Sequence, residues 1–206
     1  MVVNILSVFR TPTVLPLIVA NVITIIMALF LNWSVLDVML LYVIQSMIIG
    51  LFHFLKMLSA SARMGKGAAG FGIILSLFYL VHYGMFHAVY LFFLIGFYFA
   101  LPQNGHSLIF FSAGFLITIA VFVFNHLFSF LHYAKKSVNH DFSMLDISKM
   151  MFNPYLRNIP MHITIIFGGM FLFLGIFNWA VLLLFMVLKT VVDVKMHLTE
   201  HKDELI

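Results

Sequence analysis

The sequence predicts an all-α integral membrane bundle of six transmembrane helices with both termini in the cytoplasm. Three observations carry that prediction: the composition, a series of apolar runs of bilayer length, and a one-sided distribution of Lys and Arg. Of the 206 residues, 64% are hydrophobic and 9% charged. A soluble domain averages about 45–50% apolar and about 25% charged. The mean hydropathy is +1.13.

Crossing the hydrocarbon core takes about 20 apolar residues. Such runs fall at about 14–31, 35–58, 71–99, 108–132, 161–177 and 179–198, and together they make one transmembrane domain over residues 1–206. The third is long enough to tilt. The fifth reaches bilayer length only if it opens near Pro160, and proline suits the first helical turn. Arg10, Lys56, Arg63, Lys66, Lys135, Lys136, Lys149, Arg157, Lys195 and Lys202 collect on one side. The opposite connections, Asn32 to Ser34, Leu101 to Ser107 and the turn at Phe177 to Trp179, carry neither Lys nor Arg. The positive-inside rule therefore places both termini in the cytoplasm. The expected setting is multi-pass in a prokaryotic cell membrane. Between Tyr133 and Arg157 a short interfacial helix is expected around Ser143 to Phe152, ended before Pro154. Ser59 to Gly72 reads as a flexible Gly/Ala/Ser linker.

Several function classes are excluded or disfavoured. With no cysteine, there is neither a disulfide framework nor a thiolate metal site. The formal charge of +4 is scattered over span ends, so no nucleic-acid partner is expected. Pro12 and Pro16 interrupt any signal-peptide pattern, and no small-residue cleavage site follows. Lys202-Asp203-Glu204-Leu205 resembles an ER-retention address, but Ile206 follows it and that signal must be terminal. No internal repeat supports an inverted-repeat transporter, and no Gly-x-Ser-x-Gly supports serine chemistry.

The unusual count is ten histidines. Lys189, Asp193, His197 and His201 are spaced by four, which places them on one slowly drifting helix face. An ionisable residue inside a span is costly and reads as functional by default. With both termini inside, His53, His82, His126, His162, Asp193 and His197 all fall in the cytoplasmic half of the bundle, on five helices. Imidazole and carboxylate together suit a transition metal, zinc first, with iron or manganese as alternatives. On this reading those six residues form the ligand pool of a metal-dependent membrane hydrolase, where a bound ion polarises a carbonyl or phosphoryl oxygen and activates water. Lys189 is the candidate base, or the partner of Asp193, and Tyr83 the candidate proton donor. A metal-ion or proton pathway, or a bis-histidine haem, would draw on the same residues. Taken singly, a membrane histidine is usually a helix–helix hydrogen bond. The remaining expected partners are the lipid bilayer and an unknown substrate, with self-association into a homo-oligomer left open.

Several phrases together resemble a known family. They are Tyr42-Val43-Ile44-Gln45 followed by Gly50-Leu51-Phe52-His53-Phe54-Leu55-Lys56-Met57, then His82-Tyr83-Gly84-x-Phe86 and Asn125-His126-x-x-Ser129-Phe130. Pro154-Tyr155-x-Arg157 with His162 and Leu188-Lys189-Thr190-x-x-Asp193-x-x-x-His197 complete the set. Their order and spacing resemble the prokaryotic membrane family of unknown function DUF6498 over nearly the whole chain. That family usually has an acid at the fourth position of the first phrase, where this chain has Gln45. The resemblance implies a membrane protein built around these residues and names no reaction.

Overall fold

The computed structural model describes residues 14–100, 112–174, 183–184 and 186–195. The described residues are mostly helical, with no strand among them. In chain order the helices are α1 (Val14–Phe30), α2 (Val35–Ala62), α3 (Lys66–Ala100), α4 (Ala113–Lys136), α5 (Met144–Phe152) and α6 (Tyr155–Phe173). A 3-10 turn, Ser137–Asn139, follows α4. Residues 183–184 and 186–195 form the last helical stretch, α7. Among the described residues three helices are long and apolar enough to cross a membrane: Val35–Ala62, Gly67–Ala100, and Ala113–Asn139, which runs on through the 3-10 turn. Val14–Phe30 and Met161–Phe171 are shorter apolar helices.

α2 is the centre of the bundle. Its most apolar stretch is 61% buried, against 22% for α3 and 28% for α4. It packs against α3 most extensively, then α4, and also against α5 and α6, while α1 leans on α4. The α1–α2 hairpin is closed by local chemistry. Asn32 takes a left-handed φ of 49°, a conformation asparagine tolerates. Trp33 N–H reaches back to the Ala28 carbonyl, and Trp33 is buried against Phe115 of α4. Ser34 then caps α2 in a reciprocal capping box with Asp37.

The expected flexible linker shrinks to the connection at 63–65, because α2 continues to Ala62 and α3 begins at Lys66. The small residues there bring helices together instead. A Cβ on Gly72 would sit 2.7 Å from Ser61 Oγ. Ser61 and Ser76 lie hydroxyl to hydroxyl, and each also donates to a carbonyl of its own helix. Close approach through small residues is how apolar helices associate without a hydrophobic driving force. The interfacial helix forms as α5, N-capped by Ser143 and finished at Phe152. α6 opens at Tyr155, a full turn earlier than Pro160 suggested, and runs through that proline.

Candidate functional site

A polar seam runs between α2, α3, α6 and α7. Its charged end is built by i, i+4 spacing on α7. The Lys189 ammonium donates to Asp193 Oδ2 at 2.6 Å and, across to α2, to Gln45 Oε1 at 2.6 Å. It also lies over the Tyr42 ring, 4.6 Å from the centroid. Lys189, Asp193 and Gln45 are 8%, 6% and 0% exposed. A buried ion pair is stable only where geometry and further hydrogen bonds offset the desolvation of both ions. Gln45 and the Tyr42 face supply that compensation. Beside the pair lies a narrow cleft lined by Tyr42, Ser46, Ile49, Met161, Thr164, Lys189 and Asp193. Its free volume of about 10 Å³ is on the scale of a single water.

Ser46 carries the seam onward. Its hydroxyl lies 3.0 Å from the Tyr83 hydroxyl of α3, and Tyr83 also donates to the Ser46 carbonyl at 3.2 Å. Gly50 makes this approach possible, since a Cβ there would sit 2.3 Å from the Tyr83 ring. His87 follows Tyr83 one turn later, with ring centroids 4.5 Å apart. His87 Nδ1 donates to the Tyr83 carbonyl at 2.8 Å, which leaves the lone pair on Nε2. On α6, His162 Nδ1 donates to the Asn158 carbonyl at 2.8 Å and meets the Tyr90 hydroxyl at 2.7 Å. Nearer the start of α6, His82 Nδ1 pairs with the Tyr155 hydroxyl at 2.6 Å.

This geometry overturns the metal centre, and with it the metal-dependent hydrolase. Among the described residues no group of three or more His, Cys, Asp or Glu side chains could hold a metal ion. The expected ligands do not converge, and each has its own local partner. His53 Nε2 donates to the Met150 carbonyl of α5 at 2.6 Å, so that nitrogen has no lone pair to offer. His82 is held by Tyr155 and stacked on Phe78. His126 stacks on Phe52, on the α2–α4 side of the bundle. His162 belongs to Tyr90 and Asn158, and Asp193 to Lys189. His197, the sixth expected ligand, lies outside the described residues, as does His201. Of the two candidate catalytic groups, Lys189 is engaged as a donor to two acceptors, and Tyr83 joins Ser46 to His87.

Sequence reading missed Tyr90 and Asn158, and named Tyr155 only within the phrase Pro154-Tyr155-x-Arg157 and not as a site residue. One signal could have found them. On α3, 82 and 90 are eight residues apart, and on α6, 155 and 162 are seven apart. Both intervals are two helical turns, so polar residues recur together along two parallel helices. No curated protein and no solved structure matches the chain. A family model of unknown function does match, over residues 6–205. The chain belongs to the DUF6498 family.

Proposed function

We propose that this chain is a six-span protein of the prokaryotic cell membrane, with both termini in the cytoplasm, that binds a small polar solute inside the bilayer at the Lys189–Asp193 cleft. The observation that carries the reading is the ion pair itself. Lys189 and Asp193 are buried among apolar helices, joined to Gln45 and Tyr42, and they border a cleft with Ser46 and Thr164 on its walls. Packing alone needs no such pair, since apolar residues of similar volume are neutral or better in its place. Charged groups retained within spans are characteristic of substrate sites. At about 10 Å³ the cleft is in its closed form, and a solute enters by parting α6 and α7 from α2.

The test is thermal stability in detergent against a panel of primary amines, carboxylates, free amino acids and small amides. A solute at a hundred times its dissociation constant stabilises by about 2.7 kcal/mol. At least one class should raise the melting temperature of the native chain and leave the Lys189→Met, Asp193→Asn double variant unmoved. Equal responses in both proteins would refute the reading. The topology is tested separately by reporter fusions at Asn104 and at the C-terminus, which should report opposite sides of the membrane.

A further inference from the structure

The other end of the seam holds a second site. His87 is 1% exposed and Asn158 is 3% exposed. Among the described residues, His87 Nε2 and both side-chain polar atoms of Asn158 are fully enclosed and have no hydrogen-bond partner. Buried polar atoms are hydrogen-bonded in nearly every protein, and an exception calls for a bound water or ion. The register of the two helices brings these orphans to one level. Tyr155 meets His82 at one end, and His162 meets Tyr90 two turns along. Asn158 therefore lies between those contacts on α6, as His87 does on α3.

The chemistry at this level selects the guest. The His87 ring is fixed with its Nδ1–H on the Tyr83 carbonyl, so Nε2 can only accept. The Asn158 amide offers an NH2 group that donates and a carbonyl oxygen that accepts. No charge is present among these three atoms, so the guest is neutral. It must both donate and accept. The Tyr83 and Tyr90 rings, 4.5 and 5.4 Å from His87, bound the level on either side and limit the guest's size.

We infer that the level between α3 and α6 defined by His87 and Asn158 is a binding site for internal water, which extends the hydrated part of the seam beyond the Ser46–Tyr83 bridge. A water there makes its usual two to four bonds, roughly the number these orphans require. The inference does not depend on which solute the cleft takes.

Hydroxyl-radical footprinting in ¹⁸O-water tests it on the full chain in detergent, because radicals generated at bound water label the side chains beside it. Tyr83 and Tyr90 are 4% and 3% exposed and should nonetheless take up label. The His87→Phe, Asn158→Leu variant should lose label at Tyr90 while Tyr42, on the cleft, keeps it. Thermal stability gives a second readout. If the site is dry, His87→Phe removes an unsatisfied nitrogen and raises the melting temperature. If water is bound, the same change lowers it. An unlabelled Tyr90 in the native chain, label that survives the double substitution, or a stabilised His87→Phe would overturn the inference.

Discussion

The two ends of the polar seam handle buried polarity in opposite ways. At the α7 end the groups are charged, and each charged contact is short: 2.6 Å to Asp193, 2.6 Å to Gln45, and an aromatic face on the remaining side. At the α3–α6 end the groups are neutral, and three of their atoms have no partner among the described residues. Even within the charged cluster the same division holds, since Gln45 Oε1 is bound to the ammonium while Gln45 Nε2 has no partner among the described residues. The difference teaches how strictly each kind of group must be satisfied. A buried charge without compensation is costly enough to unfold a domain, whereas an unpaired amide or imidazole costs about 1–3 kcal/mol and can be met by one water.

The largest effect is expected from breaking the charged end on one side only. Asp193→Asn leaves the Lys189 ammonium buried without a counter-charge, and should lower stability by about 3–5 kcal/mol. The double variant Asp193→Asn, Lys189→Met removes both charges and should recover most of that loss. Calorimetry or thermal scanning in detergent decides it. A single variant as stable as the native chain would erase the contrast between the two ends.

Gly50→Ala attacks the bridge between the two ends. The new methyl would lie 2.3 Å from Tyr83 Cε1, so the ring must turn away and the Ser46–Tyr83 contacts at 3.0 and 3.2 Å must lengthen. Overpacking of this kind costs about 1–3 kcal/mol. Gly50→Ala with Tyr83→Phe should be less damaged than the sum of the two changes, because both act on one contact. Strict additivity measured by thermal unfolding would mean the bridge is not one unit.

Much of this was legible in the sequence, and the failure has a simple cause. Helix existence followed from run length and apolarity, and helices form at Val35–Ala62 and Met144–Phe152 where an apolar run and the Ser143 cap mark them. The Lys189–Asp193 pair followed from its four-residue spacing on one helix, where sequence fixes both depth and azimuth. The histidines required relative azimuth between different helices, which depth does not supply. His53 turns to α5, His126 to Phe52, and His82 to Tyr155, so these side chains point in different directions. Ser59 to Gly72 misled in another way. Small residues read as flexible in water, but between two apolar helices they are contact surface.

The smallest expected effect comes from a third polar unit, which satisfies a charge as fully as the α7 end does but lies in α5, outside the spans. Ser143 Oγ donates to Asp146 Oδ2 at 2.6 Å, the Ser143 N–H donates to the same oxygen at 2.8 Å, and Asp146 N–H returns to Ser143 Oγ at 3.3 Å. The Ser143 hydroxyl, then its N–H, holds the Asp146 carboxyl below the ordinary carboxylate value of 3.8, and His140 and Lys149 add to that. A lowered folded value means that Asp146 contributes to stability in full above the unfolded value and loses that contribution as the pH falls through the folded one. Ser143→Ala removes both halves of the hydroxyl bonding and should cost about 1 kcal/mol at neutral pH, felt locally in α5. It should also flatten the acid limb of α5 stability, because Asp146 then titrates nearer its unfolded value. Hydrogen exchange of residues 144–152, followed from neutral to acid pH, checks both outcomes. An α5 that opens with the same pH dependence in both proteins would show that the cap does not set the charge. The contrast between satisfied charge and tolerated neutral orphans would then rest on the Lys189–Asp193 pair alone.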